Sequence, residues 1–251
     1  MRYFFEIAYK GSGFHGWQRQ QNANSVQQEV EVALSTMLRQ TVSITGSGRT
    51  DTGVHCEQQF FHVDFKNTID ENNLKYKLNS FLTPGIAIKS IRQVKDSAHA
   101  RFDAISRTYQ YRIARYKNPF LTGLTYYYSK PLDLNQMNEA SEILLGQQDF
   151  ECFSKVKTEV NNFVCTINSA KWVENESLIV FEITANRFLR GMVRAIVGTL
   201  LLVGSNKLET GSLKNIIAGK NRREAGSAAP AEGLFLTTVK YPENIYLGLR
   251  K

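Results

Sequence analysis

Proline and cysteine are both scarce in this sequence, and no long apolar run occurs. Only 5 prolines are present and no extended Ser/Gly tract, so nothing reads as a flexible linker. The 3 cysteines, Cys56, Cys152 and Cys165, are odd in number and far apart, with no C-x-x-C pair. A disulfide framework and a structural zinc site are therefore both excluded, and buried or incidental thiols are expected. His55, Cys56 and His62 are close in sequence but lack a fourth ligand at metal-site spacing, so no metal is expected. The longest apolar stretch, Ala195 to Val203, is too short to span a bilayer. Glu6 interrupts the first apolar segment, which argues against a secretory signal. A cytoplasmic protein with no membrane partner is expected.

Acidic residues are also in short supply. Asp plus Glu number 23 against 31 Lys plus Arg, a net charge of +8 over 251 residues. A basic surplus attracts polyanions, of which phosphate backbones are the commonest. The surplus is spread rather than blocked, so charge alone leaves open a basic but uninvolved surface.

The pattern of elements is that of an α+β chain. Arg2 to Tyr9 is aromatic and branched and reads as a strand. A glycine-punctuated loop follows, Gly11-Ser12-Gly13-Phe14-His15-Gly16-Trp17-Gln18-Arg19-Gln20. Ser25 with Gln28 forms a capping box ahead of a helix from Val26 to Leu38, whose Val26, Val30, Ala33, Leu34, Met37 and Leu38 share one face. Glu57 to Phe65 alternates as a strand, and Asp70 to Phe81 reads as a helix stopped by Pro84-Gly85. The order then recurs. Arg107 to Tyr116 is a strand, Asp133 with Gln136 caps a helix ended by Gly146, and Leu178 to Thr184 is a strand. A long apolar helix is expected over Phe188 to Val203, a helical turn or two over Gly211 to Ala218, and a closing strand over Leu234 to Val239. Tyr3 and Tyr109 are 106 residues apart, and Ser25 and Asp133 are 108 apart. This suggests two similar α+β halves, 1–104 and 105–251, each a mostly antiparallel sheet with helices on one face.

The segment Gly46 to His55 has a composition that packing alone does not require: three glycines, one arginine, one aspartate and several hydroxyls between apolar runs. A phosphate-cradling loop fits poorly, because no Gly-Lys-Ser/Thr ending exists and the glycines do not follow G-x-G-x-x-G. Asp51-Thr52-Gly53 suggests an aspartic-protease half-site, but that chemistry needs two carboxylates sharing a proton. Arg49 nearby would instead keep an aspartate ionised. A tight turn whose Asp and Thr satisfy backbone groups accounts for the tripeptide taken alone.

Separated motifs settle the choice among these. Tyr9 to Gln20, Gly48-Arg49-Thr50-Asp51-Thr52-Gly53-Val54-His55, and Ala100-Arg101-Phe102-Asp103-Ala104 with Arg107-Thr108-Tyr109-Gln110-Tyr111-Arg112 occur in that order. Phe188-Leu189-Arg190-Gly191-Met192-Val193-Arg194 and Ala229-Pro230-Ala231-Glu232-Gly233-Leu234 follow. Together these five motifs resemble the tRNA pseudouridine synthase A family across the whole chain. The resemblance implies a cofactor-free isomerase acting on uridines 38, 39 and 40 of the tRNA anticodon stem-loop. It implies a homodimer, and RNA held in a cleft between the two halves. Residue by residue, Asp51 matches the family's catalytic aspartate, Tyr109 its active-site tyrosine, Arg194 its basic motif residue and Leu234 the apolar residue that packs on the target base.

Physical need agrees with those roles. Opening the N1–C1′ bond builds charge on C1′, where an ionised carboxylate is useful. A sheltered aspartate needs a cation beside it, and Arg194 is the expected partner. Arg49 is expected to meet the flipped nucleotide or the RNA backbone. Tyr109 can stack on uracil and reach C5 with its hydroxyl, while Tyr111, on the same strand face, is the core residue of the two. Flipping a base costs a few kcal/mol, offset by backbone contacts for which Lys10, Arg19, Arg101, Arg107, Arg187, Arg190, Arg222 and Arg223 are candidates. Thr52 and Cys56 stand where the family commonly has Ala, and Arg190-Gly191 replaces a usually larger pair. The rival function is an RNA-binding protein that keeps this fold without turnover.

Overall fold

The computed structural model describes residues 1–155, 162–175 and 178–248. Two compact units divide the chain. The first comprises Met1–Ser106 and the chain from Leu236 onward, and the second Arg107–Phe235. Both are α+β, and among the described residues there are five α-helices.

In the first unit the elements run β1 (Arg2–Tyr9), α1 (Val26–Leu38), β2 (Thr45–Gly46), β3 (His55–Asp64), α2 (Glu71–Phe81) and β4 (Ile86–Val94). β1 is central, antiparallel to β3 on one side and β4 on the other. The expected cap forms at α1, where Ser25 Oγ accepts from the Gln28 amide, and Asp70 caps α2 through the Asn73 amide. Alternation gives the sheet two aromatic faces. Phe5 stacks on Phe61 at 4.8 Å and lies beside Phe65 on one face. On the other, Phe4 contacts Phe60, His62 and Tyr241. The alternation predicts one buried face for the Glu57 to Phe65 strand, carrying Phe61, Val63 and Phe65. β3 buries Phe60 and His62 as well, because the chain around Ala98–Ala100 and Tyr241 covers the second face.

The second unit contains β5 (Ser106–Ala114), β6 (Tyr126–Tyr127), α3 (Leu134–Glu142), β7 (Gly146–Asp149), β8 (Val164–Glu174), β9 (Leu178–Ala185), α4 (Met192–Gly204) and α5 (Ser212–Gly219). β10 (Leu234–Lys240) begins at its end. The strand order is β5-β9-β8-β7, all antiparallel, with β6 parallel to β5. Asp133 caps α3 as expected, accepting from the Asn135 and Gln136 amides. The helix expected over Phe188 to Val203 starts four residues later, at Met192. Gly191 at φ +71° sits at its N-cap in a left-handed conformation that no continuous helix allows, so Phe188–Arg190 lie outside it. The expected pattern also lacks β4 and β8, which pair along the edges of β1 and β9.

The three thiols are buried, and burial raises each well above the ordinary cysteine range, so none is a ready nucleophile. Among the described residues no helix is long and apolar enough to cross a membrane.

Burial acts on two histidines as well. His62 is held down to about 4, by burial first and then by the Arg2 and His99 charges. His99 is lowered for similar reasons. Both Nδ1 atoms accept backbone N–H groups, which requires the neutral rings. The folded protein therefore binds fewer protons than the unfolded chain, whose histidines titrate near about 6.5, so stability falls as pH drops from there toward 4. Carboxylates held low by partners, such as Asp64 beside Arg2, add their loss only below about pH 4. Urea melts between neutral pH and pH 5 should show this decline. The double variant His62→Asn/His99→Asn, which keeps an acceptor but no titrating group, should flatten it even if less stable throughout.

Candidate active site

Asp51 lies in a turn that the first unit grips from several sides. The Val54 amide bonds to the Asp51 carbonyl at 3.2 Å, and Gly53 takes φ +79°, so the reversal needs its glycine. Thr50, just before, is buried. Its carbonyl accepts from the Trp17 amide at 3.3 Å, and its hydroxyl lies 2.8 Å from the Tyr9 hydroxyl. Tyr9 also donates to Gln59 Oε1 at 3.0 Å, and Gln59 Nε2 donates to the Gly48 carbonyl at 3.0 Å. On the far side the Gly53 amide bonds to the Phe14 carbonyl, and the Gly11 amide donates to His55 Nδ1.

Two glycines of the 11–20 loop make this grip possible. A Cβ on Gly11 would lie 2.1 Å from the Val54 carbonyl oxygen. One on Gly16, which sits at φ +85°, would lie 2.3 Å from the Thr50 carbonyl oxygen. The glycine-punctuated loop and the aspartate segment, separate motifs in sequence, are thus one backbone-to-backbone packing. Trp17 seals it from beneath: its indole is fully buried and leaves no room for a Cβ at Gly46.

Arg49 lies in an irregular segment rather than a strand, and its Nε donates to Gln18 Oε1 at 3.1 Å. Arg19 pairs with Glu31 at 3.1 Å, its side chain 60% exposed and the carboxylate only 6%. It therefore neutralises a buried acid that also accepts from Gln27 and the Ile44 amide. Arg101 is exposed, with its guanidinium over the Phe102 ring.

The remaining candidates belong to the second unit. Tyr109 is half-buried on β5, with Phe188 edge-on at 5.1 Å. Arg107 Nη1 donates to the Asn186 carbonyl at 2.8 Å. Tyr111 is fully buried, as expected, and burial raises its phenol far above the usual range. Its hydroxyl donates to the Pro230 carbonyl at 2.8 Å, and Arg194 Nε donates to the adjacent Ala229 carbonyl at 2.7 Å. The return bond, Ala229 amide to Arg194 carbonyl, is 2.9 Å. Close approach again depends on glycine: a Cβ on Gly198 would meet the Ser227 oxygen at 1.8 Å, and one on Gly226 the α4 backbone at 2.7 Å. Arg194 is therefore tied to the 226–230 segment that leads into buried Leu234.

Sequence reasoning missed Gln59 and Gly198. The first is a fully buried polar residue that follows Glu57 and Gln58 in the strand, so its sequence neighbours gave no signal that it is inside. The second had none either, since glycine inside an apolar helix does not say what approaches it.

The family model for tRNA pseudouridine synthase matches residues 7–103 and 140–242, spans that include Arg49, Asp51, Arg194 and Leu234. The chain belongs to the tRNA pseudouridine synthase family. Proteins named tRNA pseudouridine synthase A from Bacteroides thetaiotaomicron and Porphyromonas gingivalis are each 46% identical to it. They align over 98% of this chain and over 92% and 99% of their own lengths. The Staphylococcus aureus protein of the same name is 37% identical over 97% of this chain and 92% of its own.

In this synthase the two crowded glycines should be intolerant and their neighbour Gly13 indifferent, since a Cβ there meets nothing within 4 Å. Gly16→Ala should lower stability by about 1–3 kcal/mol and slow turnover, whereas Gly13→Ala should stay within about 0.5 kcal/mol of wild type. Thermal melts paired with isomerisation rates check both.

Proposed function

We propose that this tRNA pseudouridine synthase isomerises uridine at positions 38, 39 and 40 of the anticodon stem-loop, with Asp51 as the essential carboxylate. The supporting observation is the fixed Asp51 turn, gripped by the 11–20 loop and Gln59. An acid held in a tight backbone frame is suited to meet a sugar carbon at one distance.

In the reaction the N1–C1′ bond breaks, the uracil turns, and C5 joins C1′. The C5 proton leaves and N1 takes one up, so the isomer balances without oxidant or cofactor. Asp51 stands by C1′, where positive charge develops. An ionised carboxylate in a dry site needs a cation, and we give that role to Arg194. Tyr109 supplies a flat ring for the extruded uracil and a hydroxyl as base or relay at C5. Leu234 packs on the base. Arg49 meets the flipped nucleotide, and Arg19, Arg101 and Arg107 meet the phosphate backbone. Recognition of a stem is then mainly of shape, phosphates and 2′-hydroxyls. We further propose that the enzyme acts in the cytoplasm as a homodimer.

Tritium release from C5-labelled uridine in an unmodified tRNA tests the reading, because only formation of the C–C bond frees that hydrogen. Wild type should release it, and Asp51→Asn should lose the rate by roughly a thousandfold or more while still binding tRNA. A wild-type protein that binds tRNA without release would make it an RNA-binding protein instead.

A further inference from the structure

Phe102 is 73% exposed, yet nothing about it is loose. Four rings step from the sheet to solvent: Phe4 to His62 at 6.2 Å, His62 to His99 at 4.8 Å, and His99 to Phe102 at 4.3 Å. The loop carrying His99 and Phe102 is fastened at nearly every residue. Arg2 donates to the Ala98 carbonyl at 2.8 Å while gripping Asp64 with two further bonds. Tyr241 donates to the Ala100 carbonyl, and His62 Nδ1 accepts from the Ala100 amide. His99 Nδ1 accepts from the amides of Arg101 and Phe102 at 3.1 and 3.3 Å. Asp103 closes the loop in both directions, accepting from the His99 amide at 2.7 Å and donating its own amide to the His99 carbonyl. An apolar ring held rigidly in water keeps an unfavourable exposure that a mobile loop would relieve.

Beside the ring lies a pocket of about 420 Å³, within the usual range for small-ligand sites. Lys95, Ser97, Asp103 and Asn244 line it together with Phe102 and Ile105, and Arg101 sits 5.6 Å from the Phe102 centroid. A flat apolar face, two cations and a hydrogen-bonding edge are what an unpaired nucleotide needs: stacking for the base, charge for the phosphate, and polar groups for the base edge.

We propose that Phe102 is a stacking platform for an unpaired base of the bound tRNA other than the target uridine, with the adjoining pocket taking the base edge. The inference rests on tRNA being the substrate. It concerns a second nucleotide because the platform is far from Asp51. Phe4 pairs with His62, whereas the Asp51 turn is fastened at Tyr9, whose partner is Cys56. Five residues of β1 separate those points, roughly 16 Å at the rise of a strand.

The test measures binding of unmodified tRNA to the full-length protein, with tritium release recorded alongside. Phe102→Ala should weaken binding about tenfold and Phe102→Trp should restore it, since any π face accepts a base. Phe102→Leu, apolar without the ring, should remain weak, and the loss should fall on KM rather than kcat. Melting temperatures of the three variants separate lost contact from lost fold. Wild-type affinity in Phe102→Ala would overturn the proposal. So would full rescue by Leu, or a change from dimer to monomer in Phe102→Ala, which would make the ring a contact between copies of the chain. Asp51→Asn keeps this question apart from the catalytic one. If it still released tritium while Phe102→Ala raised KM, the catalytic assignment would fall and the platform would stand.

Discussion

The structure around the Asp51 loop depends on how closely two stretches of backbone approach. Gly11 and Gly16 put the 11–20 loop in direct contact with the carbonyls of Val54 and Thr50, closer than any side chain permits. From that contact follow the Trp17–Thr50 and Phe14–Gly53 bonds, the burial of Thr50, and the fixed path of Asp51 between them. Buried backbone polar groups must find partners, so a loop that exchanges such bonds with a neighbour has few other conformations open to it. Trp17 and the two-faced aromatic sheet then provide a firm base beneath the loop.

The second unit solves its own positioning problem by the same physical device. Gly198 in α4 and Gly226 in the following segment allow near-contact of helix and chain. Tyr111 and Arg194 then hold the consecutive carbonyls of Pro230 and Ala229. Tyr109, two residues from Tyr111, stands on the same strand but is only half-buried, with Phe188 edge-on against it. The division of labour between the tyrosines follows from depth: a fully buried phenol must donate to a carbonyl, and a half-buried one keeps an accessible edge. Arg112 lies over the Phe235 ring at 3.9 Å, which adds a further tie between β5 and the chain just after Leu234.

Much of the local structure was legible in the sequence. Ser25 and Asp133 cap the helices that their spacing implies, and α1 has the bounds its apolar face predicts. These are contacts within four residues, which sequence periodicity encodes directly. Gly191 was visible too, but its positive φ is a backbone fact, and an apolar run from Phe188 looks helical whether or not the chain breaks there. The network around Asp51 spans separations such as 44 residues between Gly11 and His55 and 50 between Tyr9 and Gln59, which no local pattern records. Family motifs marked both ends of those contacts without saying that they touch. Arg19 carries the opposite lesson: its motif suggests RNA, and its ion pair with buried Glu31 gives it a structural task as well.

We propose that a rigidly framed Asp51 lets this synthase act on the anticodon stem. The most direct measurement is the pseudouridine content of cellular tRNAs at positions 38, 39 and 40, in cells lacking this protein and in the same cells given it back. The modification should disappear from those positions in the deletion strain, return with the wild-type chain, and not return with Asp51→Asn. Pseudouridine that persists in the deletion strain, or that Asp51→Asn restores, would contradict the proposal.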